Sequence, residues 1–248
     1  MRLRLRLVGP ALAFLLSVPP AFAQETPTER EAARDVLKKM ADLETSLAVP
    51  ALVAKLTGPN PARDAVVERA RELMQTELLA LGDDITKNPE IGFVEKRSIA
   101  KLADALKAHG FEVTIGTPGL ETAFVAKYKG NNGAPNLGVI VEYDALRGTE
   151  RAFHGDQHST QGPIGIAAAV AMAEYLTKNK LPGSVFVFGT PGEEMMPPNA
   201  KTEMHKAGVF NGMDILLRSH ASGQTTRPAP GFGTCCLNID GVKYTFSG

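Results

Sequence analysis

The chain has 248 residues, with 27 basic and 27 acidic side chains and a formal net charge of zero at neutral pH. That balance gives no sign of nucleic acid or an anionic membrane as a partner. The two cysteines, Cys235 and Cys236, are adjacent, so a bridge between them is disfavoured and there is no disulfide framework; both read as buried thiols in a strand.

In chain order, Arg2, Arg4 and Arg6 precede an apolar run from Val8 to Val18, and Ala21-Phe22-Ala23 fits a small-x-small cleavage site. The run is too short to span a bilayer, so residues 1–23 read as a cleaved export signal and the mature protein as periplasmic or secreted; the alternative is an uncleaved membrane anchor. About 225 residues remain, enough for one α/β domain with its own core. Residues 24–77 read as an N-terminal helical region. Its first helix runs from Glu25 to about Ser46, with Leu37, Met40, Leu43 and Leu47 at helical spacing. Gly58-Pro59-Asn60-Pro61 breaks the chain, and a second helix follows from about Arg63 to Ile85.

Residues 78–248 read as the functional domain. After a turn over Lys87–Phe93, a third helix places Ile99, Leu102, Ala103 and Leu106 on one face and ends at His109-Gly110. Strands are predicted over Phe111–Ile115, Thr122–Tyr128, Leu137–Tyr143, Ser184–Phe188 and Asp214–Leu217, and a period-2 segment runs from Thr234 to Phe246. Helices are predicted over Gly162–Leu176, with Pro163 near its first turn, and over Thr202–Ala207. The sum is a three-layer α/β domain with a mixed, mostly parallel sheet.

The chemistry-bearing residues cluster where such a sheet places ligands, just past its strand ends. Glu142 and Asp144 close one strand, Glu193-Glu194 follow the next, and His220 follows the last short one. Asp156 and His158, two apart in Phe153-His154-Gly155-Asp156-Gln157-His158, can face one side of an extended loop. Carboxylate with imidazole suits Zn²⁺, or less selectively Mn²⁺ and Co²⁺; the same segment also reads as a polar surface loop. Of the adjacent glutamates, one can bind metal while the other acts as general base; the alternative is an acidic loop tip. His220 by itself reads as structural and gains weight only beside the other groups. His205 reads as solvated surface and His109 as part of a helix end.

From about Leu78 onward the chain resembles the amidohydrolase branch of the dimetal aminoacylase and carboxypeptidase family, which includes aminobenzoyl-glutamate and auxin-conjugate hydrolases. The resemblance rests on Asn88-Pro89-Glu90-Ile91-Gly92-Phe93, Glu142-Tyr143-Asp144-Ala145-Leu146, Gly189-Thr190-Pro191-Gly192-Glu193-Glu194, and the segment from Lys201 through His220, in that order. It implies a zinc-exopeptidase-like fold binding two divalent metal ions. It makes Glu193 the general base and Glu194 and His220 metal ligands. His154-Gly155-Asp156-Gln157-His158 stands where this branch carries His-Ala-Cys-Gly-His, so Asp156 takes the place of a ligating cysteine and His158 that of a ligating histidine. More distant members use an aspartate to bridge their metals. The implied activity is hydrolysis of N-acyl amino acids, aminoacyl conjugates or small dipeptides. The alternative is an inactive metal-binding or interaction protein on the same scaffold. The sequence stops at Gly248, where the family's lid and dimerisation domain would begin, so it resembles the N-terminal part of a longer hydrolase, and homodimerisation is expected only of a form with the lid.

Overall fold

A computed structural model describes residues 27–220, with 47 and 131 excepted. The expected export signal, the segment Thr234–Phe246 and both cysteines lie outside the described residues. Contacts divide the chain into two units after Gly58. The first holds α1 (Pro27–Ser46) and α2 (Val49–Thr57). The apolar stripe expected on α1 is present, with Leu37, Met40 and Leu43 exposed. Helix α2 is not foreseen from the sequence; it begins directly after the first helix with a proline in its first turn, a position proline tolerates.

The second unit opens with α3 (Pro61–Leu73), capped by the Asn60 side chain, which accepts from the Arg63 N–H. A π-turn over Met74–Leu78 joins it to α4 (Leu79–Lys87), so the expected second helix exists with one wide turn inside it. The sequence groups α3 with the N-terminal region; here it packs on the long helix of the α/β core. Helix α5 (Lys96–Ala108) buries Ile99, Leu102, Ala103 and Leu106, the predicted face, and Gly110 follows it at φ +83°.

The strands are β1 (Phe111–Thr117), β2 (Leu120–Tyr128), β3 (Asn136–Val141), β4 (Leu146–Arg147), β5 (Ala152–Phe153), β6 (Ser184–Gly189) and β7 (Ile215–Arg218). Five form a mixed sheet in the order β1-β2-β6-β3-β7. Strands β6, β3 and β7 run parallel, whereas β2 pairs antiparallel with both β6 and β1. Strands β4 and β5 form a separate ribbon.

Alternation along the strands makes two cores. Phe124, Ala126, Val141, Val185 and Val187 face α3, α4, α5 and α6 (His158–Lys178). Ala123, Val125, Ile140, Phe186 and Phe188 face the other layer, with Ala200 and Met204 of α7 (Ala200–Lys206). Period-2 side chains on a sheet covered on both faces are what build three layers.

Helix α6 lies close to the sheet because Gly165 lets it: a Cβ there would fall 2.3 Å from Val141 Cγ1 and 3.1 Å from Val139 Cγ1. Gly165→Val is expected to lower unfolding free energy by about 1–3 kcal/mol through overpacking. A urea titration reads this as a lower midpoint at constant slope.

Candidate metal centre

The parallel strands β6, β3 and β7 bring three segments to one edge of the sheet: Glu142–Asp144 after β3, Glu193-Glu194 after β6 and His220 after β7. The N-terminus of α6 adds His158, and Asp156 stands just before it. Here the structure corrects the sequence reading, which puts Asp156 and His158 in an extended loop and begins the helix at Gly162. His158 is the first helical residue, and Asp156 Oδ1 accepts its backbone N–H at 2.9 Å. A carboxylate satisfying an otherwise unpaired first-turn N–H is the physical reason the helix starts there. Pro163 consequently lies inside α6 rather than in its first turn.

Two overlapping donor sets result, Asp156–His158–Glu194 and Glu142–His158–His220, and in each the potential ligand atoms lie within 4.8 Å of one another. All four ligand candidates named from the sequence are therefore together. Glu193 sits at the start of the 3-10 turn Glu193–Met195, half-buried and outside both sets. His205 is exposed on α7, and His109 caps α5 and meets Glu77 at 2.7 Å.

His158 is fully buried at the centre. Its Nε2 lies 3.2 Å from Glu142 Oε2 and 3.5 Å from Asp156 Oδ2, and its Nδ1 lies 3.0 Å from Asp144 Oδ1. Neither Nε2 nor Asp144 Oδ1 has an aligned hydrogen-bond partner. Burial pushes the imidazole pKa down, but Asp144 and Glu142 outweigh it and raise it to about 10. His158 and His220 meet edge to face with ring centroids 5.7 Å apart.

Electrostatics sort the acids. Asp156 drives Glu194 upward by sharing a hydrogen bond with it, and burial adds to this, so the Glu194 carboxyl reaches about 7. Burial also works to raise Asp156, but the Glu194 hydrogen bond and the histidines outweigh it and lower Asp156. The costly like-charge contact is thus between Asp156 and Glu194 more than between the adjacent glutamates. A buried imidazole nitrogen without a partner, facing carboxylates that cannot all ionise together, is a donor arrangement that divalent cations fit.

Glu142 stands out in the sequence as a strand-end acid but not as a ligand. It is fully buried, and burial acts to raise its pKa. His158, Lys201 and Gln161 overcome this and hold the carboxyl well below the usual carboxylate range. Gln161 Nε2 donates to it at 2.8 Å, Arg218 Nη1 at 2.9 Å, and Lys201 makes a direct ion pair. The available signal is an acid ending a continuous apolar strand.

No family model matches the chain. Over 168 residues it is 32% identical to a p-aminobenzoyl-glutamate hydrolase component of Escherichia coli, a match covering 62% of this chain and 34% of the relative. Over 147 residues it is 30% identical to Thermostable carboxypeptidase 2 of Saccharolobus solfataricus, covering 56% of this chain and 37% of the relative. The chain thus spans about a third of the length of these curated relatives. Among solved structures, a protein described as an aminohydrolase from methicillin resistant Staphylococcus aureus superposes with a TM-score of 0.52 at 20% identity, covering 62% of this chain and 41% of that one. At that identity the match shows a shared fold.

Proposed function

We propose that this chain belongs to the dimetal aminoacylase and carboxypeptidase family and carries the metal centre and general base of an exported hydrolase of amide and peptide bonds; its likeness to a p-aminobenzoyl-glutamate hydrolase component and a carboxypeptidase supports this. Its substrates are N-acyl amino acids, aminoacyl conjugates or small dipeptides. Its cations are two divalent ions, zinc in preference to manganese or cobalt. Export through residues 1–23 places it in the periplasm or outside the cell, and a form that includes the lid domain dimerises. Among the described residues no helix is long and apolar enough to cross a membrane.

The observation that carries this reading is the convergence of Asp156, His158, Glu194, His220 and Glu142 into two overlapping donor sets beside Glu193. Mixed carboxylate and imidazole donors suit zinc. Divalent cations held there supply Lewis acidity to a scissile carbonyl and acidify water. Asp156 and Glu194 would supply the negative charge of one donor set and Glu142 that of the other, with His158 common to both. Asp144 orients the centre by accepting the Glu194 N–H at 2.8 Å and by facing His158. Glu193 takes the proton of the attacking water and returns it to the departing amine.

The test is metal content and turnover on the purified chain. Two zinc ions per chain are expected, together with hydrolysis of at least one member of a panel of N-acyl amino acids, aminoacyl conjugates and dipeptides. Asp156→Ala is expected to lower bound zinc, since its carboxylate belongs to the Asp156–His158–Glu194 set; undiminished zinc would overturn its assignment. Zinc binding without turnover on any panel member would leave a metal-binding protein instead.

A further inference from the structure

Glu95 is fully buried yet serves no cation among the described residues, and burial pushes its carboxyl up. It occupies the N-cap position of α5, where a carboxylate ordinarily accepts first-turn N–H groups, but it caps nothing there. Glu90 does that work from a distance, accepting the Arg97 and Ser98 N–H groups at 3.0 and 2.7 Å. Released from its own helix, Glu95 accepts the Gly192 N–H at 2.8 Å through Oε1 and the Thr122 hydroxyl at 2.6 Å through Oε2.

Gly192 is the residue before Glu193 and has φ +64°, a left-handed conformation natural to glycine. A Cβ there would fall 2.4 Å from the Phe93 ring, and Phe93 itself holds φ +67°. Gly92 backs the turn from the same side: its Cβ would lie 2.5 Å from Gly192 Cα. The segment ahead of α5 therefore grips the turn that carries both glutamates.

We infer that Glu95 is a positioning residue: through the Gly192 amide it fixes the turn that presents Glu193 and Glu194 to the metal centre. Burying an acid is expensive unless its hydrogen bonds are needed, and here they tie together α5, β2 and the Gly192 turn. The inference rests on the metal-centre reading above, with Glu194 as a ligand. Residues that orient a ligand without touching the metal commonly change metal affinity 10–100-fold.

The experiment titrates Co²⁺ into wild type, Glu95→Ala, Glu95→Gln and Gly92→Ala, reading the visible absorption bands and the affinity by chelator competition. Glu95→Ala is expected to weaken Co²⁺ binding about 10–100-fold and to shift the bands. Glu95→Gln is expected to restore both, because its amide oxygen still accepts from Gly192 and its amide N–H₂ can donate to Thr122. Gly92→Ala, which displaces the same turn by steric contact, is expected to weaken binding even if Glu95→Ala fails to fold. Wild-type Co²⁺ behaviour in a folded Glu95→Ala or in Gly92→Ala overturns the positioning role, as does a Glu95→Gln protein no better than Glu95→Ala. Wild type that binds no Co²⁺ overturns the metal-centre reading instead.

Discussion

On the proposed function, Glu193→Gln is expected to lower amide hydrolysis about 10²–10⁴-fold while leaving bound metal and the unfolding midpoint unchanged. The two adjacent glutamates are unequal in the structure. Glu194 belongs to a donor set and answers to Asp156, whereas Glu193 belongs to neither set and opens the turn half-buried. Glutamine keeps the volume and an acceptor oxygen but cannot take a proton, so it isolates the base function. The measurement is kcat on whichever panel substrate wild type turns over, with metal content determined on the same preparation. Unchanged turnover would sink the base assignment. Zinc lost in parallel with activity would move Glu193 among the ligands.

Glu142→Ala is expected to destabilise the fold by about 3–5 kcal/mol, the loss usual when one partner of a buried ion pair is removed. The carboxylate is fully buried, and Lys201, Arg218 and His158 converge on it from α7, β7 and α6. Alanine would leave the buried imidazole and two cations facing a cavity. Because the folded carboxyl is held below its ordinary value, its contribution is complete above the unfolded value of about 4.3 and is lost as pH falls below that. Wild type should therefore lose stability in acid through this group, and Glu142→Ala should lack that part of the acid slope. Equilibrium unfolding at neutral and acid pH checks both; a change under about 1 kcal/mol at neutral pH would show that the cations find other partners.

Much of this was legible in the sequence because the strands are short apolar runs and α5 repeats at helical spacing. The order of strand ends foretold that acids and histidines would meet, since parallel neighbours must finish at one edge. What sequence reading missed depends on contacts between distant segments. The early start of α6 is decided by the Asp156 carboxylate meeting the His158 N–H. The burial of Glu142 is decided by Lys201 and Arg218, both far along the chain on later elements. Glu95 gave no signal at all, because an acid at the start of a helix reads as an ordinary cap; only the fold reveals that it turns toward Gly192. The π-turn at Met74–Leu78 likewise has no period of its own inside a continuous helical pattern.

Strand β7 gives the centre an uneven resistance to opening. It is four residues long, exposed along its length, and paired on one side only, to β3, among the described residues. Strand β3, by contrast, lies between two neighbours, and the N-terminal turn of α6 is buried. In hydrogen exchange the amides of β7 are therefore expected to escape by local fraying before those of β6, which lies between β2 and β3. His220 follows this edge strand, while His158 stands at the buried N-terminus of α6. The His220 half of the centre is therefore expected to open more readily than the half around Asp156 and His158.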